Sequence, residues 1–519
     1  MGDQPLTIRT IFDRMRTIYA DHEVVDPSGR ITYGELAQRV LAQIQVLRAL
    51  GVQPGDRVAS FANNSTRHLE LYYSVPLMGA VLHMVNIRLY DEQIAYVIDH
   101  AGDTVVIADD ELIDRLPAVL EQCPRVEHLV SMSDLAAATD AASAVDPADL
   151  PLLEEDSACG ICYTSGTTGM PKGVVYSHRG TYLHAMAACM VDHLRIGEQE
   201  KILPVVPLFH ACGWGLPYVA PFTGAELVFA GADVSPANLA RVISEEKVTW
   251  AAGVPTIWNA MLPVVDSGDY DLSSLKVLGI GGAATPSPLM EAYDERGIEI
   301  LQIWGMTETT PLACVSRPRR RHRGMPADEL REVRLRTGTI FAGLEMRLAD
   351  DAGREVAWDS ESVGEIEVRG PWVATAYYND ADLSAGRFHD GWLRTGDMAC
   401  MEPDGYFKIV DRAKDLVKSG GEWISSLDLE AAIMAHPQIQ EAAVIGVRSA
   451  RWEERPVAFV VPASGAVPSL EELHIFLGDR VVKWWFPDDL VVVEEIPKTS
   501  VGKFDKLAMR AQVAEMVLP

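Results

Sequence analysis

The sequence of 519 residues is poor in cysteine and in positive charge. Seven cysteines are too few for a disulfide framework in a chain of this length. The only close pair, Cys159 and Cys162, falls on a predicted strand, where side chains three residues apart point to opposite faces, so we expect buried strand residues. Lys and Arg number 45 against 74 Asp and Glu, and the formal net charge of -29 disfavours nucleic acid as the main partner.

The chain also has no long apolar run that is free of helix-breaking residues. Its N-terminus carries Asp3, Arg9 and Asp13, which excludes the apolar centre of a signal peptide. The most apolar long stretch, residues 203–222, contains four prolines and His210. A membrane helix tolerates so many breakers poorly. The sequence therefore predicts a cytoplasmic protein without a membrane span.

Alternating helical and strand patterns occupy most of the first 400 residues. Residues 31–50 show helical spacing, with Thr32 as the predicted N-cap and Gly51 as the stop. This alternation predicts α/β architecture with two layers of sheet and helix. The predicted buried strands are residues 58–62, 104–108, 225–229 and 276–280.

Near residue 350 the pattern changes to alternating strands separated by turns. Residues 344–348, 364–368 and 405–409 alternate as strands of an antiparallel, barrel-like sheet do. A chain of this length is too long for one core. We therefore predict an α/β protein with a large N-terminal domain of several subdomains, residues 1–411, and a small α+β C-terminal domain, residues 412–519.

A loop rich in glycine and hydroxyl residues lies between two apolar strands. Its composition suits an anion, because backbone N–H groups close around phosphate oxygens while hydroxyls and one lysine add hydrogen bonds and charge. A Walker A loop is excluded, since Pro171 and Gly173 occupy positions where that pattern requires Gly and Ser or Thr. The candidate phosphate-binding residues are Thr164, Ser165, Gly166, Thr167, Thr168, Gly169 and Lys172.

This loop resembles the phosphate loop of the adenylate-forming enzymes, a family that includes acyl- and aryl-CoA ligases and peptide-synthetase adenylation domains. The resemblance covers nearly the whole chain, and it is closest to the medium-chain and related fatty acyl-CoA ligases. It implies ATP, Mg²⁺ and coenzyme A as cofactors and substrates, with a small-molecule carboxylic acid as the molecule activated. Further motifs in the family's order are residues 207–210, 281–284, 304–309, 391–397, 411–418, 420–425 and 497–503.

The resemblance implies a catalytic group. Glu308 and Thr168 would hold Mg²⁺, because hard oxygen ligands match this ion. Thr307 would lie beside the α-phosphate, and His210 is assigned to the same group. Lys503, by resemblance, would reach the carboxylate and phosphate oxygens and stabilise the charge of the transition state.

The resemblance also implies a nucleotide pocket. Asp397 would accept hydrogen bonds from both ribose hydroxyls, which a carboxylate does well. Arg412 would reach the ribose or phosphate, and Trp304 would flank the adenine. On composition alone, Asp397 could instead form a turn and Trp304 could be a core residue. The other predicted nucleotide contacts are Gly282, Ala283, Ala284, Gly305, Met306 and Ile409.

The second half-reaction requires Lys503 to leave before a thiol can attack. By resemblance, the small domain is mobile and rotates about a hinge at Lys414. After the rotation Gly420 and Gly421, followed by Glu422 and Trp423, would contact the pantetheine arm. Trp423 favours the medium-chain branch of the family.

The predicted acyl pocket is apolar or small-walled, so we expect a hydrophobic acid. His210 replaces the Asp with which amino-acid-activating relatives hold an ammonium group. Glu453 takes the place of a common Gly in the pantetheine region, which leaves an amine acceptor, and thus an amide ligase, as an alternative to CoA. The predicted pocket residues are Trp214, Val254, Pro255 and Gly281.

The oligomeric state is open, with a homodimer possible, and the basic run 319–323 is expected to be a solvated loop.

Overall fold

A computed structural model describes residues 4–164, 170–350, 352–420, 422–463, 467–498, 504–514 and 516–518. Within this part of the chain the strands form four sheets. Two belong to the α/β body, one is antiparallel, and one lies in the small C-terminal unit. The predicted α/β fold with a smaller C-terminal domain is confirmed.

The first α/β sheet is mostly parallel and carries the strand that enters the phosphate loop. Its edge strand Gly173–Ser177, which leaves the loop, pairs antiparallel with Ala158–Tyr163. Cys159 and Cys162 are both buried on that strand, as predicted. From edge to edge the strands are His128–Ser131, Val105–Ala108, Arg57–Phe61, Val81–Met84, Ala158–Tyr163 and Gly173–Ser177.

The second α/β sheet provides most of the predicted pocket. Four neighbouring strands in its centre run parallel, so their carboxyl ends meet at one edge of the sheet. From edge to edge the strands are Thr339–Ile340, Leu312–Val315, Glu299–Gly305, Val277–Ile280, Trp250–Gly253, Lys201–Pro204, Glu226–Val228, Glu23–Asp26 and Gly29–Thr32.

The antiparallel sheet is organised around one long strand, Trp392–Met401. This strand pairs with Val363–Arg369 on one side and with Phe388–His389 and Phe407–Arg412, and it carries a bulge between Met398 and Ala399. Glu345–Ala349 forms the outer edge. The sheet packs its own apolar cluster, which includes Ile366, Leu393 and Phe407.

The small C-terminal unit has its own sheet and its own cores. The sheet contains Glu422–Ile424, Val417–Ser419, Glu453–Pro462, Ile439–Ser449 and Asp489–Val492. Its two apolar clusters draw only on residues from Val417 onward. This separation is what an independently moving unit requires.

Helices cover the α/β sheets and one face of the small unit. The helix that begins at Tyr33 has Thr32 as its N-cap, in a capping box with Glu35, which confirms the predicted start. The helices are Ile8–Thr17, Tyr33–Ala49, Thr66–Leu77, Asp91–Ala101, Leu116–Leu120, Met132–Ala141, His178–Ala188, Leu216–Thr223, Pro236–Glu246, Pro255–Ser267, Ser287–Asp294, Ala327–Leu335, Ala381–Arg387, Ser426–Met434, Leu470–Leu477 and Lys506–Gln512.

Two further features of the sequence, its apolar runs and the basic run 319–323, can be compared with the structure. Among the described residues, no helix combines the length and the apolar character needed to cross a membrane. The basic run 319–323 is exposed apart from His322, but it is more than a solvated loop. Arg319 and Arg321 bind Asp404 at 3.0 and 3.3 Å, and so fasten a turn of the antiparallel sheet.

Candidate active site

The predicted pocket residues lie where the carboxyl ends of the central parallel strands meet. Val254 and Pro255 follow the strand Trp250–Gly253, and Gly281 follows the neighbouring strand Val277–Ile280. The exposed residues Gly282, Ala283 and Ala284 come next in the chain. Trp304, Gly305 and Met306 lie at the end of the third strand, Glu299–Gly305. Sheet topology therefore brings these predicted residues to one edge, although they are up to 52 positions apart in the sequence.

The turn after the third strand fixes Thr307 and Glu308. A side chain at Gly305 would place its Cβ 2.0 Å from the carbonyl oxygen of Pro311, so only glycine fits there. The Thr307 carbonyl accepts a hydrogen bond from the Tyr176 hydroxyl at 2.8 Å. Tyr176 belongs to the strand that leaves the phosphate loop, so the turn and the loop are tied together.

Glu308 is a buried carboxylate, with 5% of the residue exposed. Its Oε1 accepts a hydrogen bond from the Tyr377 hydroxyl at 2.7 Å. Its backbone carbonyl accepts another from the Ala374 N–H at 2.8 Å. A buried carboxylate is normally paired, and the Glu308 carboxylate is paired here with the neutral hydroxyl of Tyr377.

Asp397 has a partner on each carboxylate oxygen. Oδ2 accepts a hydrogen bond from the Trp304 indole N–H at 2.9 Å, and Oδ1 lies 3.2 Å from Nε of Arg412. The residue is 7% exposed. Trp304 and Arg412, the other two predicted nucleotide residues, thus both contact Asp397, and they orient its carboxylate. No local sequence pattern marks the Trp304–Asp397 bond, because it joins residues 93 positions apart.

The first testable prediction concerns that bond. Trp304→Phe keeps an aromatic ring but removes the N–H donor from Asp397. Hydrogen bonds to charged groups are the stronger ones, so we expect the KM for ATP to rise roughly tenfold. The measurement is ATP-dependent pyrophosphate exchange. Trp358→Phe, at an exposed position between two strands of the antiparallel sheet, is the control and should leave the KM unchanged. Equal KM values for Trp304→Phe and wild type would contradict the prediction.

The described part of the phosphate loop is its base. Thr164 donates its N–H to the Lys172 carbonyl at 2.9 Å, and the Lys172 N–H donates to Oγ1 of Thr164 at 3.2 Å. Lys172 Nζ lies 5.3 Å from the centre of the Tyr377 ring. Several predicted residues lie outside the described ranges: Ser165, Gly166, Thr167, Thr168, Gly169, Gly421 and Lys503.

Gly173 serves packing at the end of the loop. A Cβ there would meet the Tyr163 ring at 3.1 Å and Cβ of Tyr378 at 3.2 Å. The Gly173 carbonyl also accepts a hydrogen bond from the Tyr378 N–H at 2.8 Å. The glycine therefore allows the segment around Tyr378, which follows the strand Val363–Arg369 of the antiparallel sheet, to approach the strand Gly173–Ser177.

The segment after His210 has left-handed backbone over five residues. The φ angles of Ala211, Cys212, Gly213, Trp214 and Gly215 are 36°, 41°, 55°, 55° and 75°. Such angles cost energy for residues that carry a side chain, and they persist only where the surroundings impose them. The sequence signalled this turn only through its two glycines.

Close packing imposes that conformation. A Cβ at Gly215 would lie 2.5 Å from the His184 ring, and one at Gly281 would lie 2.9 Å from the Trp214 ring. Burial lowers the pKa of His184 to about 3, so the ring is neutral and its Nε2 accepts the Leu312 N–H at 3.2 Å. The turn thereby seats Trp214 against Gly281, and the structure brings these two predicted pocket residues together.

The remaining predicted residues lie at the junction with the small unit. The Ile409 N–H donates to Oγ1 of Thr337 at 3.0 Å on the last strand of the antiparallel sheet. The Lys414 carbonyl accepts a hydrogen bond from Arg510 at 3.1 Å, and burial lowers the pKa of the Lys414 ammonium. Arg510 also binds Asp415 at 3.0 Å, so the chain just after the predicted hinge is anchored to the small unit.

Gly420, Glu422 and Trp423, three of the predicted pantetheine residues, lie on a hairpin of the small unit. Gly420 has φ +62°, and a Cβ there would lie 3.0 Å from the Trp452 ring, so its backbone passes close to that ring. Its N–H donates to the Trp452 carbonyl at 2.9 Å. Trp423 is 43% exposed and carries Lys418 Nζ at 4.9 Å from its ring centre. The strand Glu422–Ile424 forms the second arm of the hairpin.

Comparison with known proteins identifies the family. The family model described as AMP-binding enzyme matches residues 12–378, and that described as AMP-binding enzyme C-terminal domain matches residues 428–503. Among curated proteins, a long-chain-fatty-acid–CoA ligase of Thermus thermophilus is 41% identical over 99% of this chain and 96% of its own length. A medium-chain-fatty-acid–CoA ligase of Ectopseudomonas oleovorans is 36% identical over 99% of this chain and 97% of its own length.

Solved structures share the fold. The anthranilate CoA ligase AuaEII in complex with anthranoyl-AMP superposes with a TM-score of 0.90 at 24% identity, covering 99% of this chain and 100% of that one. The amide bond synthetase McbA from Marinactinospora thermotolerans gives 0.85 at 25% identity, covering 97% and 99%. The amide-ligase alternative is not favoured, because the relatives of higher identity are CoA ligases. The chain belongs to the AMP-binding enzyme family and is an adenylate-forming acyl-CoA synthetase, which activates a carboxylic acid with ATP and Mg²⁺ and transfers the acyl group to coenzyme A.

Proposed function

We propose that the acid is hydrophobic and aliphatic. The observation that supports this proposal is the predicted pocket wall, where Trp214 packs on Gly281 beside Val254 and Pro255. An amino group on the substrate would find His210 where amino-acid-activating relatives have an acidic residue. Curated relatives of 36–41% identity carry names that range from long-chain and medium-chain fatty acids to 3-methylmercaptopropionate.

For adenylation, we infer distinct roles for the residues gathered at the strand ends. Asp397, oriented by Trp304 and Arg412, would accept both ribose hydroxyls. Lys172 and the rest of the phosphate loop would hold the outgoing phosphates. Thr307 would bind the α-phosphate, where the carboxylate attacks in line and the phosphoanhydride bond breaks to release pyrophosphate.

The donor set around Glu308 fits Mg²⁺. This ion prefers hard oxygens and is commonly held by one or two carboxylates together with substrate phosphates. Glu308 supplies such a carboxylate, and Thr168 is proposed as the second ligand. When bound, Mg²⁺ would offset the negative charge of the phosphates, which eases the approach of an anionic acid.

For thioester formation, we propose that the chain divides at residues 411 and 412, and that Lys414 is the hinge. The separate apolar clusters of the small unit support this division. Rotation would replace Lys503 with the hairpin of Gly420, Gly421, Glu422 and Trp423. The CoA thiol would then attack the acyl carbonyl, and AMP would leave with the bonding electrons on its phosphate.

A panel of acids tests this proposal. Purified protein is supplied with ATP and Mg²⁺ and with either CoA or a set of amines, and products are identified by mass. We expect acyl-CoA and AMP, with kcat/KM higher for aliphatic acids of six or more carbons than for acetate or benzoate. Preference for an aromatic acid would contradict the aliphatic pocket. Amide formation without any thioester would contradict the CoA acceptor.

A second prediction concerns Glu453, which has φ +68° where relatives commonly have glycine. Glu453→Gly relieves backbone strain and removes a negative charge near the proposed pantetheine hairpin. We expect the free energy of unfolding to rise by about 1 kcal/mol and the KM for CoA to fall up to about fivefold. The measurements are thermal unfolding and thioester kinetics.

Glu453→Gln is the matched control, because it removes the charge but keeps the strained backbone. It should lower the KM for CoA without raising stability. A KM for CoA that stays constant in both variants would show that the carboxylate does not act on the acceptor.

We propose a cytoplasmic location, since both ATP and CoA must reach the site. The homodimer stays a prediction, which sedimentation of the purified chain would test.

A further inference from the structure

One short segment, residues 371–378, connects the antiparallel sheet to both sides of the phosphate site. The Trp372 indole N–H donates to the Leu312 carbonyl at 3.2 Å. Two backbone N–H groups reach in opposite directions, that of Ala374 to the Glu308 carbonyl and that of Tyr378 to the Gly173 carbonyl, each at 2.8 Å. The segment therefore fixes the Glu308 turn relative to the strand that leaves the phosphate loop.

Tyr377 lies near the end of this segment and is 4% exposed. Its backbone N–H donates to Oγ of Ser384 at 2.9 Å, and its ring packs edge-on against Phe388 with centres 5.2 Å apart. These contacts help to hold the ring in place. A tyrosine hydroxyl carries its proton at neutral pH, so it is the donor in the hydrogen bond to Glu308.

The two polar contacts of the Tyr377 side chain are made with oppositely charged groups. Its hydroxyl donates to Oε1 of Glu308 at 2.7 Å, while its ring lies 5.3 Å from Nζ of Lys172. A ring face attracts a cation, and a hydroxyl satisfies a carboxylate without neutralising it. Tyr377 thus contacts a carboxylate through its hydroxyl and an ammonium through its ring.

We propose that Tyr377 is a positioning residue for adenylation, which keeps Glu308 and Lys172 apart and directs both toward the magnesium–ATP complex. This inference rests on the proposed roles of those two residues. In a direct Glu308–Lys172 ion pair, the carboxylate would bind the lysine instead of the metal. The ammonium would then be unavailable to the phosphates. Tyr377 prevents that pair and leaves the two charges available for opposite parts of the same ligand.

The test separates the hydroxyl from the ring. Tyr377→Phe keeps the ring and removes the donor to Glu308, so we expect the Mg²⁺ concentration for half-maximal pyrophosphate exchange to rise roughly tenfold. Calorimetric binding of ATP in EDTA, which does not involve the metal, should stay within about twofold of wild type for this variant. Tyr377→Leu removes both features, and ATP binding in EDTA should then weaken roughly fivefold as well.

Tyr378→Phe is the matched control. The Tyr378 ring packs against His100 with centres 5.7 Å apart, and its backbone bond to Gly173 survives the change. Both readouts should match wild type, and unfolding temperatures measured without ligand show whether each variant is folded. For folded Tyr377→Phe, an unchanged Mg²⁺ requirement overturns the role of the hydroxyl. Equal ATP binding in EDTA for Tyr377→Leu and Tyr377→Phe overturns the role of the ring.

These outcomes are distinct from failure of the proposed function. If the wild type exchanges pyrophosphate and forms acyl-CoA, the function stands whatever the variants do. The double variant Tyr377→Phe with Glu308→Gln adds a check that needs no fully active enzyme. If the hydroxyl acts through Glu308, the double variant should lose less free energy of metal-dependent ATP binding than the two single variants lose together.

Discussion

Lys503→Ala is expected to slow ATP-dependent pyrophosphate exchange by about 10²–10³-fold. The step joins two anions, and no ammonium other than Lys503 is assigned to the forming bond between acid and α-phosphate. The C-terminal family match extends to residue 503, so this lysine lies within the matched domain. Its removal should lower kcat much more than it raises the KM for ATP, because the interaction is strongest in the transition state.

The effect should be confined to the first half-reaction. Chemically prepared acyl-adenylate supplied to Lys503→Ala with CoA should yield thioester at nearly the wild-type rate. Lys498→Ala is the matched control, since that lysine is on the same segment but is paired with Glu441 at 2.9 Å. Pyrophosphate exchange that is equal in Lys503→Ala and wild type would remove Lys503 from the mechanism.

Lys414→Pro is expected to have the opposite effect, with adenylation preserved and thioester formation nearly abolished. Proline fixes φ, so the backbone can no longer adopt the second angle that the rotation requires. The rotation must also break contacts that now cross the junction. Lys408 binds Asp428 at 2.8 Å, and the Asp411 carboxylate accepts the Ser426 N–H at 2.6 Å.

Two assays on the same preparation separate the half-reactions. Pyrophosphate exchange reports the first, and conversion of supplied acyl-adenylate with CoA reports the second. Lys414→Ala removes the same side chain but keeps φ free, so it should support both steps. Thioester formation by Lys414→Pro at the wild-type rate would place the hinge at another residue.

The sequence predicted those elements whose signals are local. The Thr32 cap was recognisable because its partner Glu35 is three residues away. The strand Ala158–Tyr163 and the loop that follows it could be located from composition alone. Strand boundaries came out within one or two residues in the α/β body, since buried parallel strands are short apolar runs.

The contacts that organise the site could not be predicted from the sequence. Tyr377 lies 69 positions from Glu308, and no local pattern marks it as a partner. Trp304 was expected beside the adenine, but its bond to Asp397 depends on how two different sheets meet. Arg319 and Arg321 looked solvated, because their partner Asp404 comes from a distant turn. Each of these contacts is a product of tertiary packing, which residue spacing does not encode.

The left-handed backbone of residues 211–215 limits which pocket positions can be mutated to change the range of acids that the enzyme accepts. Ala211, Cys212 and Trp214 already hold angles that residues with a side chain rarely adopt, so substitutions that disturb the surrounding packing should destabilise the fold. The other proposed part of the wall is different, since Val254 has an ordinary extended backbone with φ -89° as the N-cap of the helix Pro255–Ser267. Diversity introduced at that wall should change selectivity at far smaller risk to expression.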